Sequence, residues 1–246
     1  MDDWHEWKQA FGAEKIKIGT GRQATVYLWN GFAYKSFCDG YPQSWIDLEI
    51  RIQNEIEKTN LPVVSYHAGI PGTIKMDYIA GETLADRMQR DNNISKCLAD
   101  FVELQRQIHQ CDSLRLPKLR DTAKAEIDQR PCTREQREKA LSYLFEIDDA
   151  PTLCHLDFHP LNVMCAGDDY YIIDWVNARL ANPVFDFART YVIFFETDEP
   201  LAEAYRALLK QKELIKEDIF RKAVYVMALL RSKEGINSER VFSLLA

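Results

Sequence analysis

No two of the six cysteines, at positions 38, 97, 111, 132, 154 and 165, form a C-x-x-C pair. Neither a zinc ribbon nor a thioredoxin-type redox site is therefore expected. The first residues, MDDWHEWKQA, lack a basic segment followed by an apolar one, so they do not have the pattern of a signal peptide. No apolar run reaches the length of a membrane span, and no membrane association is expected. There is no internal repeat and no low-complexity tract. Free thiols in a cytoplasmic protein follow as the expected setting.

What is present is an ordinary globular mixture. Of 246 residues, 46% are hydrophobic and 28% charged, enough for one large core or for two intimate lobes. The formal net charge of −7 disfavours nucleic acid as a partner and mildly favours cationic ligands.

The chain changes character near Gly81. Residues 16–37, IKIGTGRQATVYLWNGFAYKSF, hold two alternating runs joined by Asn30-Gly31, the strongest short signal for a two-residue hairpin. Counting out from that turn places Lys35 opposite Val26, on a face shared with Leu28, Ala33 and Phe37. Residues 44–59 are expected to form a helix with a buried stripe through Ile46, Ile50 and Ile56. Leu61–Val64 and residues 73–79 are expected to be extended. Beyond Gly81 the pattern is helical. Thr83 and Asp86 suit a capping box, and Ile94, Leu98, Phe101, Val102, Gln105 and Ile108 trace one face with a single polar exception. Residues 133–146 and 201–231 are expected helices. Val163–Cys165 and Tyr170–Ile173 are a short extended pair. Trp4, Trp7 and Phe11 have helical spacing and suit packing against the strand-rich part.

Three stretches carry chemistry. Gly19-Thr20-Gly21-Arg22-Gln23-Ala24-Thr25-Val26 is a glycine pair of the kind that lets backbone amides approach phosphate oxygens. It is neither a Walker A loop nor a Rossmann turn, since no G-K-[ST] follows and the next element is a hairpin. Lys35 on that hairpin could reach phosphates if an acidic partner holds it; Glu49 and Glu55 are the candidates, with Glu49 preferred because Ile46 and Ile50 flank it. His155-Leu156-Asp157-Phe158-His159-Pro160-Leu161-Asn162 concentrates polar groups among apolar ones. Phosphoryl transfer to a hydroxyl needs a carboxylate beside the nucleophile and hard oxygen ligands for magnesium. Asp157 suits the first task and Asn162 the second. Asp174, directly after the apolar Ile172-Ile173, is a second metal candidate, because a carboxylate there is costly unless paired or metal-bound.

Together these stretches resemble the protein-kinase-like superfamily, within it the aminoglycoside phosphotransferase and choline kinase group. The His155–Asn162 stretch is similar to the H-x-D-x-x-x-x-N catalytic loop. Ile173-Asp174-Trp175 stands where protein kinases have D-F-G, and Lys35 matches the strand lysine. Asn182–Ala188 resembles the P-x-x-D-x-A segment whose aspartate, here Asp186, braces that loop. No A-P-E segment follows Asp174, which argues against a protein kinase.

The resemblance implies a bilobal α+β fold, with a small antiparallel-sheet N-lobe over 1–79, a hinge near 77–81, and a mainly helical C-lobe over 80–246. It implies ATP, or GTP, gripped by Gly19, Gly21, Val26, Ala33, Lys35 and Glu49, with Asp77 and Ile79 at the hinge contacting adenine. It further implies Mg2+ on Asn162 and Asp174, Asp157 as catalytic base, and His155 as a structural residue. His159 is open between approaching the γ-phosphate and packing. The expected activity is phosphorylation of a hydroxyl on a small, cationic molecule such as an aminoglycoside or amino-alcohol, by a monomer or dimer. Glu196, Asp198 and Glu199 could attract an amine, although Thr197–Pro200 also has the composition of a helix N-terminus.

Two other readings stand beside this one. His155, Asp157, His159 and Asp174 could be zinc or iron ligands of a hydrolase, which leaves Gly19–Val26 and Lys35 without a role. The fold could also serve as a non-catalytic, nucleotide-binding scaffold, although Lys35, Asp157, Asn162 and Asp174 are all intact.

Overall fold

Asn30 and Gly31 both take positive φ, 46° and 78°, the backbone a type I′ turn requires. The register follows from the turn: Trp29 faces Phe32, Leu28 faces Ala33 and Val26 faces Lys35. In the computed structural model, which describes residues 10–67, 69–70, 72–232 and 238–245, this hairpin is the centre of a five-stranded sheet. Its strands are β1 (Ile16–Thr20), β2 (Ala24–Trp29), β3 (Phe32–Phe37), β4 (Tyr66–His67) and β5 (Thr73–Asp77). They lie in the order β1-β2-β3-β5-β4, and every neighbouring pair is antiparallel.

The two faces of the hairpin have different tasks. Trp29 and Tyr34 form an aromatic cluster with Phe11, whose ring centroid is 5.6 Å from Trp29 and 5.2 Å from Tyr34. Trp4 and Trp7 lie outside the described residues. The opposite face carries Val26, Ala33 and Lys35. The extended segment expected over 73–79 ends at Asp77, and Tyr78 is exposed.

The helix Gln43–Ile56 buries Ile46, Glu49, Ile52, Gln53 and Ile56. This corrects the expected stripe: Ile50 is only half-buried, and Ile52 is in the core. Steps of three and four from Ile46 lead to Glu49, then Ile52 and Gln53, then Ile56. Glu49 thus sits within the buried stripe, and the helix stops at Ile56 rather than 59.

The described residues fall into two compact units. The first runs through Glu82 and takes in Met164–Val176; the second is Thr83–Val163 and the chain from Asn177 onward. In the first unit, the amide of Ile172 donates to the Pro62 carbonyl at 2.7 Å, and Val63 bridges Ile172 in parallel. Gly81 lies against this segment. A Cβ built on it would sit 2.0 Å from the Cys165 carbonyl oxygen, so backbone would have to move. Gly81→Ala is expected to lower stability by about 1–3 kcal/mol, the usual cost of overpacking, seen as a lower urea midpoint with an unchanged m-value.

The second unit is mainly helical. Thr83 and Asp86 form the capping box at the start of helix Leu84–Asp91. Helix Ile94–Ile108 buries Leu98, Phe101, Val102, Gln105 and Ile108, whereas Ile94, expected on that face, is 49% exposed in the first turn. The stretch 201–231 is two helices, Glu199–Gln211 and Glu217–Arg231, separated by a turn in which Glu213 takes φ 55°. Two further helices, Leu119–Gln129 and Pro183–Thr197, are not evident from hydrophobic periodicity. In the latter every residue from 184 to 194 is buried, and a helix that is buried all round has no apolar stripe to reveal it. Among the described residues no helix is long and apolar enough to cross a membrane.

Candidate active site

In the first unit, Lys35 is brought to two carboxylates. Its Nζ lies 2.8 Å from Glu49 Oε1 and 3.0 Å from Asp174 Oδ1. Glu55 instead pairs with Lys58 on the surface. The hydroxyl of Tyr66 donates to the same Glu49 oxygen at 3.0 Å. Burial by itself would lower the Lys35 ammonium, but Asp174 and Glu49 outweigh it and raise the pKa above the ordinary lysine value. Burial raises the Glu49 carboxyl, against the opposing pull of Lys35. The lysine is therefore a fixed cation whose geometry is set from two directions. Asp174 takes φ 64°, a sparsely populated backbone for a non-glycine residue and one that clusters at functional sites. Its side chain keeps 38% exposure.

Val26 is paired with Lys35, and Ala33 lies on the same face. Gly19 stands opposite Val26. Gly21 lies in the exposed turn after β1, with its amide donated to the Ala24 carbonyl at 2.8 Å. That amide is engaged within the turn and so is not available for the expected phosphate contact. Asp77 is similarly engaged: its amide donates to the Ser65 carbonyl at 3.1 Å, and its carboxylate accepts from the Ser65 amide and contacts His67 Nε2. Of the two expected adenine contacts, the backbone amide that remains is that of Ile79.

In the second unit, the loop His155–Asn162 is held from beneath by Asp186. This carboxylate is fully buried. It accepts from the Leu156 amide at 2.6 Å and Gln105 Nε2 at 3.1 Å, and contacts His109 Nε2 at 2.8 Å. Leu156 takes φ 59°, costly for a branched side chain, and its amide bond to Asp186 is one of the contacts that hold it there. His155 is fully buried, and its Nδ1 accepts the Asp157 amide at 3.3 Å, a structural role. Thr190 Oγ1 donates to the Phe158 carbonyl at 2.8 Å.

Asp157 stands among basic side chains. Its Oδ2 is 3.8 Å from His159 Nε2 and its Oδ1 is 3.7 Å from Arg231 Nη1. Burial alone would raise its pKa, but His159, followed by Arg189 and His155, holds the carboxyl well below the usual carboxylate range. Asn162 donates from Nδ2 to the Asp157 carbonyl at 2.9 Å, with His159 Nε2 3.3 Å away. Its amide nitrogen is thus fixed, which leaves Oδ1 as the acceptor face.

Hydrolytic zinc or iron chemistry does not suit these residues. His155 is buried beneath the loop with one ring nitrogen engaged by backbone. Among the described residues no three or more His, Cys, Asp or Glu side chains are grouped to hold a metal. Asp174 in the first unit and Asn162 Oδ1 in the second are each hard oxygen donors of the kind magnesium prefers.

Sequence reasoning missed Tyr66, His109, Arg189 and Arg231. Gln105 gave a signal as the one polar residue on an apolar helical face. Arg231 gave none, because nothing sets it apart from the other charged residues of the expected helical stretch 201–231.

The sequence signature of the phosphotransferase enzyme family (APH) matches residues 39–215, a span that includes Glu49, the His155–Asn162 loop, Asp174 and Asp186. No curated protein matches the chain. Among solved structures, a thermostable mutant of the aminoglycoside phosphotransferase APH(4)-Ia in apo form is 15% identical, with a TM-score of 0.70 over 97% of each chain. Choline kinase LicA from Streptococcus pneumoniae is also 15% identical, with a TM-score of 0.65 over 100% of this chain and 98% of its own. APH(2")-IIa, solved as a ternary complex with streptomycin and ATP, is 14% identical, with a TM-score of 0.63 over 99% of this chain and 94% of its own. At such identities the likeness is one of fold, and the fold is the α+β, kinase-like one. The match over most of the chain shows the rest: this chain belongs to the phosphotransferase enzyme family.

Proposed function

We propose that the chain transfers the γ-phosphoryl group of ATP, or of GTP, to a hydroxyl of a small molecule in a magnesium-dependent reaction. The observation that carries this reading is the pairing of Lys35 with both Glu49 and Asp174. A half-buried lysine fixed between two carboxylates is an arrangement for gripping phosphate oxygens beside a metal ligand. Val26 and Ala33 supply the apolar surface for the base, and the Gly19–Gly21 turn covers the phosphates. Asp77 and Ile79 form the segment that meets adenine, through the Ile79 amide. Asp174 and Asn162 Oδ1 would hold magnesium, which when bound neutralises phosphate charge.

Asp157 orients the acceptor hydroxyl and receives its proton. Its depressed pKa makes it a weak base, so it acts first as a hydrogen-bond acceptor that fixes the nucleophile. Proton transfer follows late, as suits a loose phosphoryl transition state in which little charge builds on the attacking oxygen. Family membership, the fold and the intact set of Lys35, Asp157, Asn162 and Asp174 support the reading. A cytoplasmic setting, with nucleoside triphosphate and free thiols, goes with it.

Lys35→Met tests the grip. Removing the ammonium leaves Glu49 buried without its cation, which by itself costs about 3–5 kcal/mol of stability. The double variant Lys35→Met with Glu49→Gln removes that complication. Nucleotide Kd is expected to rise at least tenfold in both, and ADP release to fall with it. Unaltered nucleotide affinity in both would overturn the assignment. Nucleotide binding by the wild-type chain without transfer to any acceptor would favour the scaffold reading.

A further inference from the structure

The net charge of −7 leads to the expectation of a cationic acceptor, drawn by Glu196, Asp198 and Glu199. Each of these acids has a structural task. Glu196 is buried and accepts from Arg231 Nε at 3.0 Å. Asp198 caps the helix that follows, accepting the Leu201 amide, and Glu199 pairs with Arg240. The local charge around Asp157 has the opposite sign, set by Arg189 and Arg231.

A cavity of about 60 Å³ opens beside the catalytic loop, lined by Leu156, Arg189, Arg179, Thr122, Asn177 and Glu126 among others. It shares Leu156, the residue before Asp157, and Arg189, whose charge acts on Asp157. Two arginines thus line one small space. Its single carboxylate, Glu126, lies 3.4 Å from Arg130, which follows the end of its helix. Thr122 and Asn177 add neutral hydrogen-bonding groups. Arg179 sits on the short strand Arg179–Ala181 with Nη1 donated to the Ala178 carbonyl at 2.7 Å. Burial lowers its pKa against the opposing effect of Glu126. Planar guanidinium forks recognise carboxylate and phosphate bidentately. The volume suits such a group.

We propose that this cavity seats an anionic group of the acceptor, a carboxylate or a phosphoryl group, so that the hydroxyl presented to Asp157 belongs to a small acid-bearing alcohol. The inference rests on Asp157 being the base of a phosphotransferase. Its test therefore measures nucleotide binding and ADP release separately from acceptor choice.

The probes are glycerate for a carboxylate and glycerol phosphate for a phosphoryl group, set against choline, ethanolamine and hygromycin B. Turnover with one or both anionic probes is expected, at a kcat/KM at least tenfold above any cationic one. In Arg179→Gln, KM for the accepted probe should rise at least tenfold while nucleotide Kd stays constant, and Arg179→Lys should recover part of the loss. Thr122→Glu, which places a negative charge in the cavity without touching either arginine, should give the same selective loss if Arg179→Gln folds poorly. Turnover confined to the cationic probes, or a KM for the anionic probe that neither variant changes, would overturn the inference and leave the phosphotransferase reading intact. Failure to bind nucleotide at all would overturn that reading instead.

Discussion

Asp157→Asn is expected to lower kcat by roughly 10²–10⁴-fold, the range a positioned base contributes, while nucleotide affinity changes little and thermal stability falls, because a carboxylate whose pKa is lowered in the folded state stabilises it at neutral pH. Asparagine keeps the size of the side chain and its ability to accept a hydrogen bond. It loses the charge that His159, Arg189 and Arg231 surround, and it cannot take a proton. The backbone contacts that shape the loop do not depend on that charge. Asn162 binds the Asp157 backbone carbonyl, and His155 binds the Asp157 amide; neither contact involves the carboxylate. Single-turnover assays at saturating ATP separate chemistry from binding. Wild-type turnover in Asp157→Asn would remove this residue from the mechanism.

The same electrostatics fixes a pH dependence. Neighbouring cations hold the Asp157 carboxyl well below the usual carboxylate range, so it stays ionised throughout mildly acidic and neutral solution. The kcat/KM profile should show no acidic limb from this group above about pH 4, the ordinary carboxylate value. An acidic limb near pH 6 would mean that another group is the base.

What the sequence makes legible depends on how local the physical cause is. The hairpin register is legible because two residues, Asn30 and Gly31, dictate it, and Lys35 opposite Val26 is a direct consequence. The choice of Glu49 over Glu55 is legible for a related reason: only Glu49 falls on the buried stripe that begins at Ile46, even though the stripe runs through Ile52 rather than Ile50. The ends of elements are less legible. Nothing between residues 201 and 231 breaks the helical pattern strongly, and the turn at Glu213 depends on packing. The helix Pro183–Thr197 is hidden because it is buried on all sides. The cationic surroundings of Asp157 are the least legible part. Arg189 and Arg231 lie on different elements, and only the folded chain brings both to Asp157 and shows that Arg189 shares a cavity with Arg179.

Asp186→Ala should have the largest effect on stability, and its size should vary with pH in a defined direction. The carboxylate is fully buried and joins three partners: the Leu156 amide, Gln105 and His109. Truncation leaves buried donors without an acceptor and releases Leu156 from its φ of 59°. The loss should be about 3–5 kcal/mol near neutral pH, as for other broken buried charge networks. Turnover should fall as well, because Leu156 carries Asp157. Burial alone would raise the Asp186 pKa, but the hydrogen bond and charge of His109, the charge of His155 and the Leu156 amide together lower it. A carboxyl with a lower pKa in the folded than in the unfolded state contributes stability above the unfolded value, about 3.9. That contribution disappears as pH falls through the folded value. Urea midpoints of wild type and variant should therefore differ most at neutral pH and converge below about pH 4. Asp186→Asn, which keeps an acceptor for Leu156 but sets a second amide nitrogen against Gln105, should fall between the two. A gap between wild type and Asp186→Ala that stays constant from neutral pH to pH 3 would show that the lost packing matters and the charge does not.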